Sequence, residues 1–143
     1  MAYWLLKSEP EEWSWDQQKK AGRKGAEWDG VRNFQARSNL RQMKKGDLGF
    51  FYHTGDEKQV VGIVQVVKEA HPDSTDETGQ WVAVDVAAVA DLPRPVTLAE
   101  IKANPKLKDM VLARAPRLSV QPVSPQEWSM ISKLGGLPKP PQA

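Results

Sequence analysis

Hydrophobic and polar residues alternate in some stretches of this chain and recur at helical spacing in others. Tyr3 to Lys7 alternates, which predicts a short strand with Trp4 and Leu6 on one side and Tyr3 and Leu5 on the other. Ser8-Glu9-Pro10 breaks it. Ser14 and Gln17 have the spacing of a capping box, so a helix is expected from Trp15 to Ala21, stopping at Gly22. Gly25 to Gly30 reads as a loop holding Trp28 and closed by the turn dipeptide Asp29-Gly30. Asn33 can cap a second helix through about Met43, with Leu40 and Met43 on its apolar face.

From there the pattern changes. Leu48 to Thr54, Gln59 to Val67, Gln80 to Ala90 and Arg117 to Val123 are strand-like, and Val82, Val84 and Val86 share one face. His71 to Gly79 is an acidic loop. Thr97 caps a short helix through about Ala103. Ser124, Pro125 and Glu127 open a last helix that carries Trp128, Ile131 and Leu134 on one side and ends at Gly135-Gly136. Five strands with peripheral helices predict one α+β domain over residues 1–136, built on a small, mostly antiparallel, curled sheet or barrel. Leu137 to Ala143 contains three prolines and is expected to be a loose tail.

Composition narrows the chemistry. The chain has 143 residues, the size of one domain, and no cysteine. That excludes a disulfide scaffold, a thiolate nucleophile, an iron–sulfur cluster and Cys-ligated zinc. His53 and His71 are too few for a His-built metal site, so neither metal nor cofactor is expected. The apolar stretch at the N-terminus is too short for a signal peptide, and Trp81 to Ala90 falls far short of a membrane span. The expected place is the cytosol, or the nucleus in a eukaryote, with no membrane partner and a monomeric state.

The net charge of +2 conceals a pattern. Residues 1–54 carry +3, residues 55–91 carry −6 and residues 92–143 carry +5. Between Lys19 and Lys45 nine basic groups face only Glu27 and Asp29, which points to a surface suited to an anion. Tryptophan is the one unusual count, at six. Trp4, Trp81 and Trp128 follow core-facing patterns, and Trp13 and Trp15 bracket a helix start. Trp28 sits apart, in a loop amid basic residues.

Motifs for phosphate-loop, dinucleotide or nucleophile-elbow chemistry are missing, so no catalytic residues are assigned. Three short segments stand out instead: Lys7-Ser8-Glu9-Pro10, Trp28-Asp29-Gly30-Val31-Arg32-Asn33 and Phe51-Tyr52-His53-Thr54. Each puts donors or an aromatic ring at a strand end or loop, where binding residues sit on a rigid scaffold. An aromatic plate, an amide able to read a base edge and nearby cations are what recognition of an unstacked base requires. The alternative reading is core packing for Trp28 and helix capping for Asn33.

The strings W-L-L-K-S-E-P, W-D-G-V-R-N-F-Q-A-R, M-K-K-G-D, F-Y-H, V-V-G-I-V-Q-V-V, H-P-D, R-L-S-V-Q-P-V and E-W, in this order over nearly the whole chain, resemble the EVE domain family, relatives of the PUA and YTH domains. The resemblance implies a PUA-like fold, a small curled β-barrel flanked by short helices. It implies a nucleic-acid partner, DNA or RNA, with a modified base such as modified cytosine drawn into an aromatic pocket. The family motif maps that pocket onto Ser8, Trp28, Asn33, Tyr52, His53 and Thr54. Thr54 stands where many members have Ser, and Phe34 where many have Tyr. Lys7, Arg32, Arg37, Arg41 and Arg117 are the expected phosphate contacts. Tyr52 and His53 cannot face the same side of a strand, so one of them is expected only to pack, with His53 expected at the pocket rim making one hydrogen bond. The competing reading is a nucleic-acid- or nucleoside-modifying hydrolase on the same scaffold, with His53 and Lys7 as acid and base, a possibility kept open by the related ASCH domains.

Overall fold

A computed structural model describes residues 2–142. The chain runs β1 (Tyr3–Ser8), α1 (Trp15–Lys20), a 3-10 turn (Gly22–Lys24), β2 (Ala26–Trp28), α2 (Phe34–Gln42), β3 (Leu48–His53), β4 (Gln59–Pro72), β5 (Val82–Thr97), α3 (Leu98–Ala103), α4 (Val111–Arg114), β6 (Val120–Val123) and α5 (Pro125–Leu134). The strands form one sheet in the order β2-β5-β4-β3-β1-β6. β1 and β3 pair in parallel, and every other pair is antiparallel. The sheet is a curled half-barrel with short helices around it, a PUA-like fold.

The expected caps are in place. Ser14, Thr97 and Ser124 each close a reciprocal capping box, with Gln17, Glu100 and Glu127, and Asn33 Oδ1 accepts from the Ala36 N–H at 2.9 Å. Such caps satisfy N–H groups that a helix start otherwise leaves orphaned. The long strands differ from expectation. β4 and β5 run to 14 and 16 residues, because successive register shifts let them bend without parting. Pro93 and Pro95 are tolerated in β5 because β2 pairs with it only from Val84 to Val86, which leaves the rest of that side an edge.

A sixth strand, β2, replaces the expected loop around Trp28. Three residues between Gly25 and the Asp29-Gly30 turn carry too short a pattern to read. Gly25 brings β2 in: its φ is 79°, and a Cβ there would lie 2.6 Å from the Val86 carbonyl oxygen. The four-residue α4 was likewise illegible.

Alternation along the strands builds two cores, one on each side of the sheet. Trp4, Leu6, Phe51, Val64, Val84 and Val86 pack with Trp28 and with Ala36, Leu40 and Met43. Leu5, Phe50, Tyr52, Ile63 and Val96 pack with Ile101, Trp128 and Ile131. In the second core the Trp128 ring is stacked against Phe50 at 4.1 Å and Tyr3 at 4.5 Å. Its Nε1 donates to the Pro141 carbonyl at 2.8 Å, so the tail is tied back onto α5, and the Leu137 N–H donates to Ser132 O at 3.0 Å.

Trp81 is a correction. It lies half-buried just ahead of β5 and stacks on Phe34 at 5.2 Å instead of entering a core. Trp15, by contrast, does become core. Its ring covers the backbone of Gly62 and its Nε1 donates to Asp91 Oδ1 at 2.7 Å, Asp91 being the β5 partner of Gly62. A Cβ at position 62 would meet that ring at 2.2 Å, a distance no rotation of a flat indole relieves cheaply. Gly62→Ala is therefore expected to destabilise the domain by about 1–3 kcal/mol, measured by urea unfolding. A change under 0.5 kcal/mol (about half the smallest cost quoted) would show that the ring is not held there.

Candidate nucleic-acid interface

The ends of β1 and β2, the turn after β1 and the stretch ahead of β6 surround a cavity of about 810 Å³. From β1 and its turn come Lys7, Ser8, Glu9, Glu12 and Trp13, and from β2 and its loop Ala26, Glu27, Trp28, Asp29, Gly30, Val31 and Arg32. Thr54 enters from the end of β3, and Pro116, Arg117 and Ser119 close the far side. The volume is in the range of small-molecule sites. A second hollow, about 790 Å³, lies along α5 and contains none of the site residues expected from the sequence.

Six of the eleven expected residues meet here: Lys7, Ser8, Trp28, Arg32, Thr54 and Arg117. Ser8 Oγ donates to the Trp13 carbonyl at 2.7 Å, so the hydroxyl holds the turn that carries Trp13. Lys7 Nζ donates to Pro116 O at 2.7 Å, clamping β1 to the opposite wall, and burial pulls its ammonium below the usual lysine value. Trp28 is 7% exposed, its ring set edge-on to Phe51 at 5.4 Å. Arg117 is exposed.

The other five lie outside the lining. Asn33 is spent on its cap. Tyr52 points to the second core, where burial pushes its phenol up to about 12. His53 faces the cavity side of β3 yet sits buried beneath α1: its Nε2 accepts from the Trp15 N–H at 3.0 Å, which leaves the proton on Nδ1, 2.8 Å from Glu57 Oε1. Both ring nitrogens of His53 are thus engaged, and one proton of the Lys7 ammonium goes to a carbonyl. Arg37 donates to Gln80 O at 2.8 Å, and Arg41 is exposed in the last turn of α2.

Sequence reading missed Trp13, placed with the helix start, and the carboxylates of Glu12, Glu27 and Asp29. It also missed what organises the loop. Asp73, its side chain fully buried, accepts from the Gly30 N–H at 2.8 Å, Arg32 at 3.0 Å, the Thr75 N–H at 2.7 Å and the Thr75 hydroxyl at 2.6 Å. Burial alone would raise its carboxyl, but these donors outweigh it and hold it at about 2. Asp29, next along the loop, moves the other way: burial, then the charges of Asp73 and Glu27, raise it. Glu27, which lines the cavity, brings one donor atom within 4.8 Å of one each from His71 and Asp85. His71 Nε2 lies 2.8 Å from Asp85 Oδ1 and its Nδ1 3.7 Å from Glu27, an arrangement that ties β2, β4 and β5 together.

A curled mixed sheet flanked by short helices, with a cavity at its strand ends, places the protein in the PUA-like class of folds. The chain belongs to the EVE domain family, whose model matches residues 2–134. It is similar to a solved protein of Agrobacterium tumefaciens, 53% identical over 100% of this chain and 99% of that one, with a TM-score of 0.98. It is 35% identical to human thymocyte nuclear protein 1, solved in complex with DNA containing 5-methylcytosine, over 95% of this chain and 98% of that one, TM-score 0.86. The fold also resembles a Zygosaccharomyces rouxii YTH domain, at 15% identity and a TM-score of 0.59 over 99% of this chain and 88% of that one.

The depressed carboxyl of Asp73 carries a pH dependence. A group lowered on folding contributes stability that is present above its unfolded value, near 3.8, and is lost as pH falls toward about 2. Acid unfolding should therefore steepen between those values, and the Asp73→Asn protein, less stable at pH 7, should show a flatter profile there. Parallel profiles for the two proteins would remove Asp73 as the anchor.

Proposed function

We propose that this domain binds nucleic acid by taking an unstacked, modified base into the 810 Å³ cavity. The observation that carries the reading is the meeting of Trp13, Trp28, Ser8 and Arg117 around one opening at the strand ends. The relative solved with 5-methylcytosine DNA supports the ligand class. Trp13 and Trp28 are the aromatic walls. The Ser8 oxygen, its proton given to Trp13 O, can still accept from a base amino group, and Arg117 meets the phosphate outside.

The magnitudes set what each part must supply. Unstacking a base costs a few kcal/mol, and stacking on an aromatic side chain returns about 1–3. Phosphate contacts and edge hydrogen bonds have to cover the remainder. A single buried methyl adds about 0.8 kcal/mol at most, so preference for a methylated base should be several-fold rather than absolute.

Trp28 is deep enough that truncation to Ala would cost about 3–5 kcal/mol of stability, so Trp13 is the sharper probe. Trp13→Ala should weaken binding to a single-stranded oligonucleotide with one 5-methylcytosine about tenfold or more by fluorescence anisotropy, while circular dichroism stays unchanged. Arg117→Ala should weaken modified and unmodified oligonucleotides alike and lower the salt slope by about one. Undiminished binding by Trp13→Ala would end the aromatic-wall reading.

A further inference from the structure

Phe34 is the large hydrophobic residue most exposed among those described, at 65%. It is not alone on the surface. Its ring stacks on Trp81 with centroids 5.2 Å apart and planes 26° from parallel. The Arg37 guanidinium lies 4.8 Å from the Phe34 centroid and 5.2 Å from that of Trp81, and Arg32 lies 5.7 Å from Trp81. Arg32 also lines the cavity, so the cluster is continuous with it. An isolated exposed ring needs no explanation, but a ring stacked on a second ring, with one guanidinium beside both and another over the second, is a prepared surface.

We infer that Phe34, backed by Trp81 and Arg37, is a second stacking subsite that takes the base next to the one in the cavity. The inference rests on the nucleic-acid reading above. Its occupant is a nucleobase, because the patch offers a largely exposed aromatic ring in cationic surroundings. Arg41 stands one turn along α2 from Arg37 and adds charge for the backbone. Of the nearby carboxylates, Asp73 is already matched to Arg32, and Asp76 accepts from the Trp81 and Thr78 N–H groups and the Thr78 hydroxyl. Stacking platforms with arginine support are how single strands are held without reading sequence.

The test uses single-stranded hexanucleotides with one 5-methylcytosine and an abasic residue on its 5′ side, its 3′ side or neither. Against the intact strand, Phe34→Ala should bind about 5- to 100-fold more weakly than the parent, and Phe34→Tyr should bind like the parent. The parent should lose a comparable factor when one of the two neighbours is abasic, whereas Phe34→Ala should be indifferent. Both should bind 5-methyldeoxycytidine monophosphate equally. A parent indifferent to abasic neighbours on both sides overturns the subsite, as does an intact strand bound equally by Phe34→Ala. A dimer in sedimentation that Phe34→Ala abolishes would also overturn it, by giving the ring to a second copy of the chain. Trp13→Ala separates the two readings: if abasic sensitivity persists while preference for the modified base never existed, the cavity reading falls and the subsite stands. No binding of any strand by the parent removes both.

Discussion

The candidate site depends on one buried carboxylate. Asp73 follows β4 immediately, and its oxygens gather donors from two separate loops, Gly30 and Arg32 on one side and Thr75 on the other. A charge removed from water is tolerable only when its lone pairs are filled, and four donors fill them here. The return is positional. Gly30 is drawn toward the sheet, so Trp28 at the end of β2 is held at the cavity wall and Arg32 swings toward Trp81. Cavity and outer aromatic cluster are thus fixed by the same group.

The rest of the molecule divides labour between the two sides of the sheet. The side built on Phe50, Tyr52 and Trp128 is closed by α3, α5 and the tail, and all of its aromatic rings are committed to packing. The side built on Trp4, Phe51 and Val84 is capped only partly by α1 and α2, and the strand ends beyond the caps open into the cavity. Strand parity assigns neighbours to opposite tasks. Tyr52 supports the closed side, while His53 props α1 by accepting the Trp15 N–H.

Much of this was legible in the chain, and the gaps have physical causes. Capping boxes, the alternation at Tyr3–Lys7 and the Val82, Val84, Val86 face are local signals, and the structure carries all of them. β2 escaped because a three-residue strand has no period, so Trp28 read as a loop residue. Trp13 escaped because its place is set by Ser8 holding its carbonyl, a contact of side chain to turn that spacing does not encode. Asn33 illustrates a residue whose two readings share one signal: a polar side chain before a helix suits a cap and a base edge equally, and the Ala36 N–H takes its oxygen. Asp73 looked like one more charge in an acidic loop. Its role rests on contacts across more than forty residues, with Gly30 and Arg32.

The charges around the cavity bear on how the proposed ligand would enter. Glu9, Glu12, Glu27 and Asp29 line it against Lys7, Arg32 and Arg117, and two of those cations are already engaged, by Pro116 O and by Asp73. A phosphate brought inside would meet more negative than positive charge in a partly desolvated space, where such interactions are least screened. A base edge that presents an amino group meets acceptors instead, as carboxylates do with the cytosine amino group in a groove. The balance of charge therefore favours one orientation, base inward and backbone outward along Arg117 and the basic face of α2.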